Sequence, residues 1–270
     1  MIFARDKSQM CNNLLQYAHV YAWGREHGRK VISMRFSYKY QYFHICHTNL
    51  TGFGWYLLAK YLAALKILPT ASFKHSDCNR EALEQKMLRH RHIVVSGWNV
   101  RFYDLFIKYR SEICDLFRID DQYMAPVRQL MEGHQGIRLG VHIRRGDYAE
   151  WNDGIYCYDD ETYARHINRF AAMHEDKEVH VYLSTNDPEV TEDHYQQLCP
   201  QVHVHHLHGS APADLFMLSE CDYLIGPPST FSLVAAMYRD IPLYRMDTPN
   251  AEAMTPEAFH LFDYWFRRII

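Results

Sequence analysis

Apolar and polar positions along the chain fall into short blocks that alternate between strand and helix periods. Residues 2–4 read as a buried strand, 12–27 as a helix closed near Gly28, and 31–34 as a second strand, which together make one β-α-β unit. Its first loop, 5–12, opens where an α/β sheet binds ligands. The stretch 55–68 is apolar enough to suggest a membrane span, but Lys60 and Lys66 interrupt it and it is too short, so the pattern predicts a core helix ended by Pro69. A helix over 80–90 and a strand over 93–96 follow. Residues 102–117 then predict one amphipathic helix, with Phe102, Leu105, Phe106, Tyr109, Ile113 and Leu116 on a single stripe. A helix over about 123–131 runs into Glu132-Gly133-His134-Gln135-Gly136, whose glycines suggest a joint between domains.

Beyond that joint, strands at 139–143, 179–184, 202–207, 223–225 and 241–245 alternate with helices at 160–174, 188–198, 213–220 and 229–238. This is the order of a doubly wound parallel sheet. Thr255-Pro256-Glu257 predicts a terminal helix, with Thr as its cap and Pro at its first position. The expected organisation is an amino-terminal α/β domain over 1–135, a Rossmann-like domain over 136–250, and a terminal helix over 251–270 crossing back to the first domain.

Two segments carry candidate chemistry. The first is Arg138-Leu139-Gly140-Val141-His142-Ile143-Arg144-Arg145-Gly146-Asp147-Tyr148, an apolar strand that ends in two arginines and an acid. Alternation puts His142 and Arg144 on one face and Val141, Ile143 and Arg145 on the other. Arg144 is thus expected at a carboxyl sheet edge, where its planar fork suits phosphate oxygens, while Arg145 is expected to pair with Asp147. A solvated surface ion pair would give the same letters. In the second segment, 222–238, a short apolar strand ends at Gly226-Pro227-Pro228 and a small-residue helix starts at about Ser229. Free backbone N–H groups and the hydroxyls of Ser229, Thr230 and Ser232 would converge there on an anion, although a capped helix without a ligand reads alike.

Composition narrows the class. The 270 residues are 48% hydrophobic, enough to bury a core, and the formal net charge of −3 comes without a basic run, which argues against nucleic acid as a partner. The seven cysteines are odd in number and scattered, as in a reducing compartment. The start is too short and polar for a signal sequence, and no apolar run reaches membrane-spanning length. The expectation is a soluble cytoplasmic protein, with room for peripheral contact at the inner face of a membrane.

Taken together, the two segments resemble the fucosyltransferase superfamily that uses GDP-fucose, which includes the α1,2-, α1,6- and protein O-fucosyltransferases. The likeness is nearest to bacterial α1,2-fucosyltransferase-like enzymes. His142-x-Arg144-Arg145-x-Asp147 is similar to one family motif, and Asp214-Leu215-Phe216-Met217-Leu218-Ser219-Glu220-Cys221-Asp222, running on to Ser232, is similar to a second. Cys11-Asn12-Asn13 and the residues around it are similar to the family's amino-terminal turn, but the glycines of that turn are missing. Leu233-Val234 also replaces the Trp-Trp pair of the α1,2 branch, so the linkage stays open.

The resemblance implies a GT-B arrangement, two Rossmann-like domains facing a cleft, and inverting transfer of fucose from GDP-fucose to a glycan hydroxyl. It implies a donor-binding set of His142, Arg144, Asp214, Ser229, Thr230, Phe231 and Ser232, with Arg144 on the β-phosphate and Asp214 on the guanine edge. It also implies an acceptor or first-loop role for Asn12 and Asn13. A carboxylate suits guanine because two adjacent N–H donors need an acceptor, although Asp214 could instead cap its helix. The base that deprotonates the acceptor is sought among Asp147, Glu150 and Asp153, with Glu150 preferred. No metal or other cofactor is expected, since an arginine and a helix start can stabilise the leaving diphosphate. His203, His205, His206 and His208 lack a ligand spacing that would make a zinc site the better reading. The competing readings are a glycosyltransferase using another sugar nucleotide, such as GDP-mannose, and a non-catalytic nucleotide- or glycan-binding relative.

Overall fold

The computed structural model describes residues 1–5 and 8–269. The chain divides into two compact units, Met1–Asp120 and Asp121–Ile270.

The first unit holds β1 (Ile2–Arg5), α1 (Met10–Glu26), β2 (Val31–Ser33), α2 (Phe53–Ala64), β3 (Thr70–Ser72), α3 (Arg80–Arg89), β4 (Ile93–Ser96), α4 (Tyr103–Lys108) and α5 (Arg110–Leu116). Its sheet is parallel, in the order β2-β1-β4-β3. Helix α1 is buried on nearly every side. His19 Nδ1 accepts the Phe102 N–H at 3.1 Å, and burial holds that imidazole well below its ordinary pKa, hence neutral.

Three expectations change in this unit. The helix foreseen over 102–117 is two helices, because Tyr109 leaves helical geometry at φ −103 and ψ 15, where its hydroxyl donates to Glu26. Strand β3 was not foreseen, since Thr-Ala-Ser carries too few apolar positions to show a period. Helix α2 is not a core helix: Ala59 is its one buried residue, while Phe53 and Tyr61 are 55% and 60% exposed. The face that carries Tyr56, Ala59, Leu62 and Ala63 is the one that meets Phe3, Ile32 and Leu68.

The second unit holds α6 (Asp121–Met131), β5 (Ile137–Ile143), α7 (Asp160–Ala172), β6 (Val179–Thr185), α8 (Glu192–Leu198), β7 (His203–His206), α9 (Ala211–Ser219), β8 (Tyr223–Gly226), α10 (Thr230–Arg239), β9 (Leu243–Arg245) and α11 (Phe262–Phe266). All strand pairs are parallel, in the order β7-β6-β5-β8-β9. The predicted alternation holds throughout. Leu139, Val141 and Ile143 of β5, Val181 and Leu183 of β6, and Ile167 and Phe170 of α7 form one core cluster. Full burial of such a side chain stabilises the fold by about 1.5–3 kcal/mol.

The division between units falls before α6, not at 135. Met124, Val127 and Met131 turn inward, and the helix packs on α9, so the glycines after it serve the turn into β5 instead of a joint. The terminal segment also departs from expectation. Pro256–Ala258 is a single 3-10 turn, His260 bridges Leu243, and the helix proper starts at Phe262. Phe262 and Phe266 are fully buried, α11 packs on α10, and Trp265 Nε1 donates to the Leu243 carbonyl at 2.8 Å. This segment therefore belongs to the second unit.

No disulfide joins the described cysteines, and no described helix is long and apolar enough to cross a membrane. Strand order reverses between β5 and β8, and open α/β sheets bind ligands at the carboxyl ends of the strands at such a point.

Candidate active site

The carboxyl end of β5 delivers His142 and Arg144 to that reversal point. His142 pairs in register with Ser184 of β6, so the two share a face. The Ser184 hydroxyl donates to Asp214 Oδ2 at 3.2 Å, which joins the strand end to the first turn of α9. The His142 ring lies 5.0 Å from the Phe231 ring, and is 4% exposed. Burial, with a smaller contribution from the Arg144 charge, pushes this imidazole down to about 3, so it is neutral at physiological pH. Its Nδ1 is buried without a hydrogen-bond partner among the described residues, an atom able to meet a polar group of a ligand. Gly226 makes the packing possible, since a Cβ there would come within 3.1 Å of the His142 Cβ.

The two arginines separate as the strand alternation requires, but their partners are the reverse of those expected. Arg144, not Arg145, pairs with Asp147, at 2.8 and 2.9 Å to the two carboxylate oxygens. Its guanidinium carbon lies 5.6 Å from the centre of the Tyr148 ring. Arg145 bonds Asp160 at 2.5 Å, Asp187 at 3.0 Å and the Tyr158 carbonyl at 3.2 Å. The physical reason is the 3-10 turn Gly146–Ala149, which folds Asp147 back under Arg144, while extended Arg145 leaves on the opposite face. Burial alone would lower the Arg145 pKa, but the two carboxylates outweigh it and raise it. Asn186 secures the same residue by accepting from its N–H at 2.9 Å and donating to its carbonyl at 2.8 Å.

Arg145 is thus a structural cation. Arg145→Lys keeps the charge but cannot serve three acceptors in a fixed fork, and should lower unfolding free energy by about 2–3 kcal/mol. Urea unfolding measures this; an unchanged midpoint would remove the arginine from the framework.

The third component is the loop from β8 into α10. Ser229 caps the helix, its Oγ accepting from the Phe231 N–H at 3.1 Å, and the Ser232 hydroxyl donates to the Ser229 carbonyl at 3.2 Å. The Tyr148 hydroxyl donates to the Pro228 carbonyl at 2.5 Å. That bond staples the loop after β5 to the loop after β8, holding Arg144 and the α10 start in one frame. Helix first turns present N–H donors and positive potential, so this frame suits a phosphate.

Asp214 sits inside α9, and Ser210 is the residue at the cap position, so the cap alternative for Asp214 falls away. The carboxyl is 8% exposed, and desolvation pushes it up to about 7 against the opposing Ser184 hydrogen bond. A carboxyl buried at this cost at the carboxyl end of a parallel sheet is a functional-site signature.

The sequence profile of glycosyl transferase family 11 matches residues 81–265, more than half of the chain. The chain belongs to glycosyl transferase family 11. No curated protein matches it. Among solved structures, a mutant of Arabidopsis thaliana FUT1 in complex with GDP superposes with a TM-score of 0.67 at 12% identity, over 96% of this chain and 73% of that one. POFUT1 in complex with GDP-fucose gives 0.61 at 10% identity, over 89% and 94%. The fucosyltransferase NodZ from Bradyrhizobium gives 0.54 at 17% identity, over 91% and 96%. At these identities the likeness is one of fold, and it places this family 11 chain among GT-B-like glycosyltransferases with parallel sheets.

Within this family 11 enzyme, the second unit carries His142, Arg144, Asp214, Ser229, Thr230, Phe231 and Ser232. Asn12 and Asn13 lie in the first unit at the start of α1. Asn12 donates to the Ser8 hydroxyl at 2.8 Å, and Asn13 donates to the Ser8 and Gln9 carbonyls, each at 2.9 Å. Asp6 and Lys7 of the first loop lie outside the described residues. Glu150 and Asp153 are exposed in the loop after β5, where Asn152 and Asp153 adopt left-handed geometry at φ 50 and 56.

Sequence reasoning missed Ser184 and Tyr148. The run Ser184-Thr185-Asn186-Asp187 after a buried strand was a usable signal, because polar residues at a carboxyl strand end are where an α/β site is built. Tyr148 gave no such signal, since its value is a bond to a carbonyl 80 residues away.

Proposed function

We propose that this glycosyltransferase moves fucose from GDP-fucose to a glycan hydroxyl, with inversion and without a divalent metal. The observation that carries the proposal is the Tyr148 staple, which fixes the Arg144 guanidinium and the α10 start in one frame at the strand-order reversal. GDP in the FUT1 complex and GDP-fucose in the POFUT1 complex support the choice of donor. As the glycosidic bond lengthens, negative charge accumulates on the β-phosphate. Arg144 and the N–H groups after Ser229 stabilise that charge, a task a metal ion performs elsewhere. Asp214 accepts from the guanine N–H donors in its ionised form, and neutral His142 offers a ring nitrogen at the donor pocket wall.

Asp147 is committed to Arg144 and so orients it. Glu150, exposed three residues later, takes the acceptor proton. Asn12 and Asn13 shape the acceptor side.

Purified protein should show a thermal shift with GDP and not with UDP, since a ligand of the native state raises its stability. It should release GDP from GDP-fucose only when a glycan acceptor is present, and keep that activity in EDTA. Loss in EDTA that Mn²⁺ or Mg²⁺ restores would refute metal independence. Release of GDP from GDP-mannose instead would move the donor sugar, and binding of GDP without turnover on any glycan would leave a nucleotide-binding relative.

A further inference from the structure

At the opposite, amino-terminal edge of the second sheet, three histidines from three separate segments converge. His180 is the second residue of β6, His205 lies on β7, and His134 belongs to the turn between α6 and β5. Each offers a ring nitrogen, and these atoms all lie within 4.8 Å of one another. His180 Nδ1 and His205 Nε2 are 3.0 Å apart. The His134 ring stacks on both others, with centroids at 4.6 and 4.4 Å.

We propose that His134, His180 and His205 bind one divalent transition-metal ion of the zinc class. Zinc takes imidazole nitrogens at about 2.0–2.1 Å, which in tetrahedral geometry sets nitrogens roughly 3.3 Å apart. The His180–His205 pair is already close to that spacing, and the third ring offers a nitrogen within 4.8 Å of both.

Ligating histidines are oriented by a partner on the second ring nitrogen, and His134 has one. His134 Nδ1 meets the Tyr182 hydroxyl at 2.7 Å. The Glu178 carboxylate lies 3.4 Å from His180 Nε2, and His180 Nδ1 faces His205. His134 and His205 are partly exposed while His180 is buried, which gives an ion a path from solvent to a fixed inner ligand.

This site is separate from the transfer chemistry. His180, Tyr182 and Ser184 alternate along one face of β6, and Ser184 is the residue that reaches Asp214. Four residues at about 3.3 Å each put His180 roughly 13 Å from that end, and His205, in register with Tyr182, stands two residues short of it. A bound ion would tie β6, β7 and the turn into β5 together without touching the donor site.

The test uses untagged protein stripped with EDTA and freed of chelator. Calorimetry with ZnCl2 should give one ion per chain, Co²⁺ should give the visible absorption of a tetrahedral site, and the melting temperature should rise with Zn²⁺ concentration. His134→Gln and His205→Gln, at partly exposed positions, should keep the parent fold by circular dichroism and weaken Zn²⁺ binding at least about tenfold. The paired change His206→Gln with His208→Gln, on the neighbouring tilted pair of rings, should leave it intact. Absence of saturable Zn²⁺ binding in the parent would overturn the proposal. So would parent-like affinity in both His134→Gln and His205→Gln, or loss of the ion on changing His206 and His208.

Discussion

Replacing Arg144 with lysine should lower turnover by about two to three orders of magnitude while weakening GDP-fucose binding far less. The guanidinium is 19% exposed, held by both oxygens of Asp147 and by the face of Tyr148, so its direction is fixed before the donor arrives. Lysine retains the charge and loses the fork, and with it the Asp147 clamp that aims it. An interaction that strengthens as charge moves to the β-phosphate affects kcat more than ground-state affinity. The measurement is kcat alongside the GDP-fucose dissociation constant and the melting temperature. Near-parent turnover in Arg144→Lys, with Arg145→Lys stable and inactive, would reverse the roles assigned to the two arginines. The carboxylates Asp160 and Asp187 on Arg145 argue against that outcome.

Asp214→Asn should weaken GDP binding and at the same time stabilise the protein. The affinity loss follows from replacing an ionised acceptor with an amide that can face only one guanine N–H as an acceptor. Hydrogen bonds to a charged group are worth about 1.5–3 kcal/mol, or roughly ten- to a hundredfold in Kd. The stability gain follows from burial. The folded carboxyl titrates at about 7 against an ordinary 3.8, so between those values the folded state holds the proton more tightly than the unfolded chain does. Parent stability should therefore fall as pH rises through that window, by at most about 4 kcal/mol, and the mutant should lack this slope. GDP affinity of the parent should rise with pH up to about 7, because guanine selects the ionised carboxylate. Titration of the ligand's own terminal phosphate appears in both proteins, so their difference isolates Asp214. Equal affinity and equal stability profiles in parent and mutant would remove Asp214 from the site.

These two residues were legible for different reasons. Arg144 could be placed by alternation alone, since a strand fixes which side chains share a face. Asp214 could not: its neighbours in sequence permit a helix cap, and only the approach of Ser184 from β6 shows a carboxyl turned inward. The Arg145 partners were misjudged for the same reason. Asp147 is near in sequence, whereas Asp160 and Asp187 are brought close by the packing of α7 and the end of β6. Among the histidines, the sequence drew notice to those clustered over 203–208. The structure groups His205 with His134 and His180, whose positions in the chain give no hint of proximity.

What the sequence by itself determined is whatever depends on local periodicity and on short linear motifs. The strand and helix alternation of the second unit, the family likeness, and the Arg144 and Ser229 segments all belong there, because a strand's two faces and a helix's first turn are properties of consecutive residues. The tertiary structure alone decided the partners of each charge, the depth at which Asp214 and His142 are buried, the break at Tyr109, the exposure of α2 and the side on which α6 and the terminal segment pack. Those outcomes depend on which surfaces meet across long separations in the chain. Burial energies and desolvated charges are set by neighbours in space, and no window along the chain contains them.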